Sequence, residues 1–149
     1  MHPAASSNPL AKVFSSDLDR LGTSKEFPYV ALTYRLTEHF HYWTKHITAN
    51  SELQQSFFVE LPEEMAKEKN IRSGDLVRVT SARGKVEGQA LVTRRLRGLK
   101  VNGRTIYQVG LPIHWGFVGR VTGPLINNLS PSVVDPPEYK GFLVNVEKV

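Results

Sequence analysis

The sequence contains no cysteine, and this absence excludes several kinds of chemistry at once. The 149-residue chain can form no disulfide, can use no thiolate nucleophile and can bind no metal through cysteine sulfur. The absence does not identify a compartment, because a cysteine-free chain is compatible with either redox environment. The sequence also lacks an apolar run approaching the ~20 residues with which a helix spans a bilayer.

Familiar phosphate-binding patterns are missing as well. The sequence has neither a Gly-x-Gly-x-x-Gly fingerprint nor a P-loop, and no nucleophile-elbow pattern supports a Ser-His-Asp arrangement. No internal repeat or low-complexity tract is present. The length fits one domain, and a formal charge of +5 with a pI near 9.6 favours an anionic partner.

The most distinctive stretch extends from Thr33 to His46 and combines aromatic rings, imidazoles and cations. It contains three of the five histidines, two of the five tyrosines and one of the two tryptophans, together with Arg35 and Lys45. If it forms a strand, its side chains alternate between two faces. One face then carries Glu38, Phe40 and Tyr42, and the other carries Thr37, His39 and His41.

Two interpretations of this stretch remain open from the residues alone. Rings that stack and cations that bind phosphate would suit a flat, anionic ligand. Alternatively, Phe40, Tyr42 and Trp43 belong to the core, and the histidines lie at its edge. A second concentration of such residues, His114-Trp115-Gly116-Phe117, lies among glycines that let the backbone approach a ligand closely.

A metal site is a further interpretation of the histidines. The candidate ligands are His39, His41, His46 and His114, with Glu38 nearby. A His-x-His pair on a strand would direct two imidazoles the same way, but the spacing matches no metal signature and the aromatic neighbours suit stacking better. We therefore predict no metal ligand. A basic β-barrel could also bind single-stranded nucleic acid, so the residues alone predict an anionic, partly aromatic ligand.

Period-two alternation of apolar residues predicts a mainly-β domain of about six short strands. The predicted strands are Tyr29–Thr33, Ser56–Leu61, Leu76–Ser81, Val86–Thr93, Thr105–Val109 and Phe142–Val146. The third and fourth form a hairpin, in which Val77 and Val79 share one face. Because sheet edges must be protected, we predict that the strands close into a barrel.

The remaining segments are predicted from caps and turns. Pro62 opens one definite helix that extends to about Lys69, with Asn70 as its C-terminal cap. Asn102-Gly103 predicts a tight turn. The basic run before it, made up of Arg94, Arg95, Arg97 and Lys100, is interpreted as a solvated hairpin arm. We expect residues 1–28 to be an irregular lead-in and residues 29–149 to form the domain.

Several motifs, in this order, resemble the C-terminal part of the major subunit of formate dehydrogenase, in the molybdopterin oxidoreductase superfamily. The first is Tyr-Arg-Leu-Thr-Glu-His-Phe-His-Tyr-Trp-Thr-Lys-His at positions 34–46. The others are Ile-Arg-Ser-Gly-Asp-Leu-Val-Arg-Val at 71–79, Arg-Gly-Lys-Val at 83–86, Pro-Ile-His-Trp-Gly-Phe at 112–117, Asn-Asn-Leu-Ser-Pro at 127–131 and Pro-Glu-Tyr-Lys-Gly-Phe-Leu-Val-Asn at 137–145. The hairpin motif alone would indicate only the wider superfamily, whereas the ordered set indicates the major subunit.

The resemblance implies a fold, a cofactor and a set of contacts. The fold is a six-stranded double-psi β-barrel with short helices and long ligand-facing loops, and the cofactor is molybdopterin guanine dinucleotide with molybdenum or tungsten. The residues implied to line it are Arg35, Leu36, Thr37, His39, His41, His114, Trp115, Asn127 or Asn128, Tyr139 and Lys140. Arg and Lys suit pyrophosphate, imidazole can donate to phosphate oxygen, and a carboxamide can pair with a pterin or guanine edge.

One departure from the family concerns the catalytic groups. Family members carry the metal-ligating cysteine or selenocysteine, the catalytic histidine and the iron-sulfur cysteines upstream of this domain, and this chain has no cysteine. We therefore expect a fragment or a separately encoded part of the subunit, with no activity, no catalytic residue and no membrane contact of its own. Its partner would be the remainder of the subunit. The resemblance implies a periplasmic location, with a cytoplasmic one left open. The alternative function is that of a basic β-barrel that binds another nucleotide or single-stranded nucleic acid.

Overall fold

The computed structural model of the protein describes residues 21–130 and 140–149. The strands in this part of the chain are β1 (Tyr29–Tyr34), β2 (Phe58–Pro62), β3 (Leu76–Thr80), β4 (Lys85–Thr93), β5 (Leu99–Val101), β6 (Arg104–Ile106), β7 (Gln108–Pro112) and β8 (Lys140–Lys148). The α-helices are α1 (Thr48–Leu53) and α2 (Glu63–Glu68), and short 3₁₀ turns span Thr44–His46 and Ile126–Asn128. No helix in these ranges is long and apolar enough to cross a membrane.

Six strands form a closed barrel in the order β1-β7-β2-β4-β3-β8, and β5 and β6 form a separate two-stranded arm. Two pairs are parallel, β1 with β7 and β2 with β4, and they flank the antiparallel contact between β7 and β2. The closure satisfies both edges of every barrel strand, as the sequence predicted. This is the double-psi β-barrel that the resemblance implies.

The barrel interior is filled by the inward-facing half of each alternating strand. In β3, Val77 and Val79 are fully buried, whereas Arg78 and Thr80 on the other face are partly exposed. Val86 opposes Val79 in the antiparallel register of β3 and β4, which confirms the predicted hairpin. Burying such apolar side chains is the main stabilising contribution to the fold.

The α2 helix begins after Pro62 and ends in the predicted cap at Asn70. Asn70 has a φ of 52°, and its N–H donates to the carbonyl of Lys67 while that of Ile71 donates to the carbonyl of Ala66. These two hydrogen bonds form a Schellman motif and satisfy carbonyls at the end of the helix. The two glutamates of the first turn, Glu63 and Glu64, complement the helix dipole as predicted.

The stretch from Thr33 to His46 is a strand only as far as Tyr34, so the alternation that a strand would give ends there. The chain leaves β1, forms an irregular loop and turns sharply at His41 and Tyr42, which have positive φ angles of 44° and 68°. The two predicted faces therefore do not exist: His39 is buried and His41 is exposed, although alternation would place them on the same side.

Two other strand predictions needed correction, and one helix was not predicted. The strand expected at Thr105–Val109 is divided at Tyr107 between β6 in the arm and β7 in the barrel, because the two halves pair with different partners. The helix α1 was not predicted, since Thr48–Leu53 shows little apolar periodicity. The strand expected at Ser56–Leu61 lies at Phe58–Pro62. The boundary expected at residue 28 stays a prediction, because residues 1–20 lie outside the described part.

Candidate functional site

The candidate site forms where the parallel strands β1 and β7 end side by side. Tyr34 lies opposite Pro112, and the N–H of Ile113 donates to the carbonyl of Tyr34 at 2.9 Å, which continues the pairing beyond the last strand residues. Because both strands run in the same direction, the residues that follow them leave the barrel at the same end. This brings Arg35 and His114 to one surface, although they are 79 positions apart in the sequence.

A sharp turn brings His41 and Tyr42 back over this end of the barrel. The N–H of Trp43 donates to the carbonyl of Phe40 at 3.0 Å, and the N–H of Phe40 donates to Thr44 Oγ1 at 2.6 Å. Positive φ at two consecutive residues other than glycine is uncommon and strained. The surrounding contacts must therefore stabilise the turn.

The result is a cavity of about 580 Å³ at the carboxyl ends of β1 and β7. Its lining comes from β1, the turn, the segment after β7 and the second 3₁₀ turn. The lining residues are Thr33, Tyr34, Arg35, His41, Tyr42, Ile113, His114, Ile126 and Asn127. Four of the predicted site residues meet here, namely Arg35, His41, His114 and Asn127.

His114 is the most unusual side chain in the cavity. It is 5% exposed, its φ is 79°, and both ring nitrogens lack a hydrogen-bond partner among the described residues. Its ring centroid lies 4.8 Å from that of His41 and 5.4 Å from that of Tyr42. Burial, assisted by the nearby His41 and Arg35, lowers the pKa of His114 to about 4, so the imidazole is neutral at pH 7. Buried polar atoms of this kind indicate a missing partner.

Two further polar groups face the cavity without a protein partner in the described part of the chain. Arg35 is exposed, and no described carboxylate pairs with it. Asn127 is half-buried in the second 3₁₀ turn, and its carboxamide has no described hydrogen bond. Asn128 is also half-buried but does not line the cavity, so the structure places Asn127 and not its neighbour at this surface.

Four other predicted contacts lie away from the cavity lining. His39 is buried, with Nε2 donating to the carbonyl of Gln54 at 2.8 Å, and its ring meets the edge of Trp115 at 5.1 Å between centroids. Trp115 is 1% exposed and also packs against Phe57.

Leu36 packs against the core, and Thr37 is exposed in the loop. Tyr139 lies outside the described residues, and of Lys140 only the backbone, at the start of β8, is described.

A polar network centred on the buried Glu60 lies next to the cavity wall at Tyr34, and no sequence pattern predicted it. Glu60 in β2 is 1% exposed and accepts hydrogen bonds from Tyr34 Oη and Thr93 Oγ1, each at 2.8 Å, and from Arg95 Nε at 2.9 Å. A second nitrogen of Arg95, Nη2, binds the other Glu60 oxygen, and the guanidinium lies 4.9 Å from the Tyr34 ring centroid. A lone carboxylate inside the apolar run Phe-Val-Glu-Leu-Pro was the signal that could have revealed it.

The basic run is solvated as predicted, with Arg94 86% and Arg95 63% exposed, but two of its arginines also bind carboxylates. Arg95 binds a buried carboxylate, and Arg94 pairs with Glu63 at 3.0 Å, whereas Arg97 is exposed as predicted. Burial alone would raise the pKa of Glu60, but the hydrogen bonds from Arg95, Tyr34 and Thr93 outweigh burial and lower it. Burial and the adjacent carboxylate raise the pKa of Tyr34. Glu60 is therefore a carboxylate at neutral pH, and it holds Tyr34 at the cavity wall.

The site offers donors and a cation but no metal cluster. Within residues 21–130 and 140–149, no group of three or more His, Asp or Glu side chains could hold a metal ion. The cavity presents a guanidinium, a carboxamide, an imidazole and aromatic rings. This combination can bind a flat heterocycle that carries phosphate.

Comparison with known proteins gives the family. A family model described as the Molydopterin dinucleotide binding domain matches residues 29–138. The chain is 51% identical over 154 residues to the formate dehydrogenase-O major subunit of Escherichia coli (strain K12), a match that covers 100% of this chain and 15% of that protein. It is 43% identical over 156 residues to the formate dehydrogenase major subunit of Haemophilus influenzae, covering 99% of this chain and 15% of that protein.

A solved structure supports the fold alone. Acetylene hydratase from Pelobacter acetylenicus aligns with a TM-score of 0.66 at 15% sequence identity, covering 85% of this chain and 19% of that chain. The chain thus spans only about 15% of the length of the curated relatives that it matches. The sequence match and the shared barrel agree, and the chain belongs to the molydopterin dinucleotide binding domain family, within which it is similar to formate dehydrogenase major subunits.

Proposed function

We propose that this chain binds and orients a molybdopterin guanine dinucleotide as part of a formate dehydrogenase major subunit. The observation that carries the proposal is the cavity at the ends of β1 and β7. There a cation, a carboxamide and a buried imidazole, none of them with a hydrogen-bond partner in the described part, face the same space. Membership of a family defined by dinucleotide binding supports the same function.

The side chains around the cavity fit the chemical groups of this cofactor. Arg35 can bind a pyrophosphate through two parallel hydrogen bonds. The Asn127 carboxamide can donate to and accept from the edge of a pterin or guanine ring. The neutral His114 imidazole can donate one N–H and accept at its other nitrogen, which would satisfy atoms that are otherwise buried without partners.

In this proposal the chain positions the cofactor and contributes no group to hydride or proton transfer. When bound in the assembled subunit, the cofactor and its molybdenum or tungsten ion supply the redox chemistry of formate oxidation. His39 and Trp115 act as positioning residues, because they pack behind the loops that carry His41 and His114. Contacts from Leu36, Thr37, Asn128, Tyr139 and Lys140 stay predictions.

The remainder of the subunit is the proposed partner. It would carry the active site and the iron-sulfur cluster, since this chain spans about 15% of the matched relatives and has no cysteine. A periplasmic location is also proposed, from the resemblance to formate dehydrogenase major subunits.

Substitution of Arg35 tests the proposed cofactor site. A suitable host is the Escherichia coli relative in which this chain replaces the matching segment. Arg35→Ala should lower the cofactor content of the purified chimera, because one charge-assisted contact is worth on the order of 1.5–3 kcal/mol. Arg35→Lys should restore binding only in part, since a point charge replaces a bidentate fork. The matched control is Arg97→Ala, which removes an exposed arginine outside the cavity. Full molybdenum and pterin content in Arg35→Ala would contradict the assignment.

A further inference from the structure

Lys45 is a buried cation that the proposed cofactor site does not use. Its side chain is 1% exposed, and among the described residues its ammonium has a single electrostatic contact, with the Tyr42 ring at 5.2 Å. Burial lowers the pKa of Lys45. A buried ammonium without a carboxylate is costly, so a counter-charge would be strongly favoured.

The fold holds Lys45 in this position through its backbone and through a close glycine loop. Its carbonyl accepts hydrogen bonds from Ser51 Oγ at 3.0 Å and from the N–H of Arg120 at 2.9 Å. A Cβ at Gly119 would lie 3.0 Å from Lys45 Cβ, and one at Gly116 would lie 3.4 Å from Nζ. The loop therefore packs directly over the side chain, and the ammonium is positioned and not merely mobile on the surface.

Lys45 is one of the residues that line a shallow groove with an apolar rim. The groove has a volume of about 630 Å³ and lies between residues 42–46 and 116–118. Its rim includes Trp43 and Phe117, each 76% exposed, and Val118, 72% exposed. Three large apolar side chains exposed around one buried charge are typical of a protein interaction surface, whereas a small-molecule site encloses its ligand.

We propose that this groove is the docking site for another segment of the large subunit, which covers Trp43 and Phe117 and presents a carboxylate to Lys45. The proposal rests on the proposed function only in taking the chain to be part of that subunit, about 85% of whose length in the matched relatives lies outside it. Charge complementarity indicates which kind of segment binds in the groove. An apolar segment without an Asp or Glu would cover the rim but leave the Lys45 ammonium unpaired. An acidic residue flanked by apolar ones satisfies both features.

Zero-length crosslinking with a carbodiimide identifies the occupant in the assembled chimera. The reagent activates a carboxylate that then forms an amide with the Lys45 amine, with loss of the activating urea. We expect mass spectrometry to find Lys45 joined to an Asp or Glu outside the 149 residues. A crosslink to Asp17, Asp19, Asp135 or Glu138 of this chain would overturn the proposal. So would a crosslink that forms only after the cofactor has been removed, because Lys45 would then belong to the cofactor site.

Lys45→Met gives a second test that does not depend on crosslinking chemistry. In the isolated chain it should raise Tm, because the buried charge is lost and the stem is kept. In the chimera it should speed proteolytic release of this domain roughly tenfold, the factor that corresponds to about 1.4 kcal/mol of lost docking energy. Trp43→Ser combined with Phe117→Ser should speed release as well. Unchanged release in both variants would overturn the proposal.

Matched controls and cofactor content separate this proposal from the previous one. Lys85→Met removes an exposed lysine of the hairpin, and Leu99→Ser removes an apolar side chain that is 48% exposed on the arm. Neither should change release. Cofactor content is measured in the same samples. If the content is normal but Lys45 forms no crosslink and release is unchanged in the variants, only the docking proposal is refuted. If Arg35→Ala keeps its full cofactor content, only the proposed cofactor site is refuted.

Discussion

At the scale of single residues, the candidate site is marked by side chains whose own interactions are incomplete. His114 combines a left-handed backbone, burial and two ring nitrogens without described partners. Each of these features is unfavourable, and such features persist where the surrounding structure or a ligand compensates for them. The same histidine would be unremarkable in the sequence, where only its neighbour Trp115 distinguishes it.

The pH dependence of unfolding tests the environment of His114. Its pKa is lowered from 6.5 to about 4, so between these values the unfolded state binds more protons than the folded state. The free energy of unfolding should therefore decrease as the pH falls from 6.5 to 4, by up to ~3 kcal/mol. Urea unfolding at a series of pH values measures the slope, and NMR titration of the ring protons measures the pKa directly.

Two variants separate His114 from the other histidines. His114→Asn removes the titrating ring and suits a positive φ, so it should flatten the stability profile between pH 4 and 6.5. His46→Asn changes an exposed histidine and should leave the profile as it is. If the profile is unchanged in His114→Asn, the ring is not buried as described here.

At the scale of elements, a buried carboxylate joins strands that lie far apart in the sequence. Glu60 in β2 accepts hydrogen bonds from the end of β1 through Tyr34 and from the end of β4 through Thr93. Gly110 of β7 lies opposite Glu60, and a Cβ there would approach Tyr34 Cε1 to 3.0 Å and Glu60 Cβ to 3.1 Å. The network thus needs a residue without a side chain at this point of the barrel.

Glu60→Gln should be clearly destabilising. The amide keeps the volume but loses the charge-assisted hydrogen bonds, at a cost of about 1.5–3 kcal/mol. Its matched control is Glu87→Gln in the exposed pair with Arg78, where a change within about 1 kcal/mol is expected. Chemical denaturation at pH 7 compares the two variants, and equal effects would show that the Glu60 network contributes no more than a surface pair.

The Glu60 network also predicts a pH effect of a definite sign. The pKa of Glu60 is lowered from 4.5 in the folded state, so its contribution is present above that value. Stability should be lost as the pH falls through the folded pKa, because the carboxyl must then be protonated. In Glu60→Gln this acid-dependent loss should be smaller than in the parent chain.

At the scale of the whole molecule, the closed barrel explains why the chain can fold without disulfides. Its hydrogen-bond ladder has no open edge among the six barrel strands, and each of these six strands contributes side chains to its core. The binding cavity, in contrast, lies at one end of the barrel and is lined by loops. The barrel is therefore closed by the described strands alone, whereas the proposed cofactor site is formed by loops at one end of it.

The isolated chain should fold and yet be inactive. We expect a mainly-β circular dichroism spectrum, no bound molybdenum or tungsten after purification and no oxidation of formate with a dye acceptor. Guanine nucleotide should bind weakly, because in the proposed function the rest of the subunit would supply part of the enclosing surface. Formate oxidation by this chain alone would contradict the proposed function.

A gel-shift assay tests the alternative function at the same scale. The chain carries a formal charge of +5 and exposes Phe40, Trp43 and Phe117, which are features of single-strand-binding barrels. We nevertheless expect only weak retardation of a single-stranded oligonucleotide, which disappears as the salt concentration rises. Tight, salt-sensitive binding at physiological ionic strength would favour nucleic acid as the ligand.

Local patterns in the sequence determined most of the barrel strands, the cap and the tight turn, but not the division between β6 and β7. Alternation at Val77 and Val79, the left-handed Asn70 and the Asn102-Gly103 turn each depend on residues within a few positions, so short-range rules predicted them. The requirement that sheet edges be paired then led to a barrel. Ordered motifs led to the family and to four residues of the cavity, Arg35, His41, His114 and Asn127.

Only the tertiary structure decided which of the aromatic and polar side chains face the cavity. No local rule predicts positive φ at His41 and Tyr42, because contacts with distant residues stabilise that turn. Glu60 and Arg95 are 35 positions apart, so their pairing depends on the closure of the barrel. Lys45 is buried because a loop more than seventy residues further along packs over it. Sequence patterns show the local preference of the backbone for a conformation and the period with which buried side chains recur. These three features depend instead on packing between residues that lie far apart in the sequence.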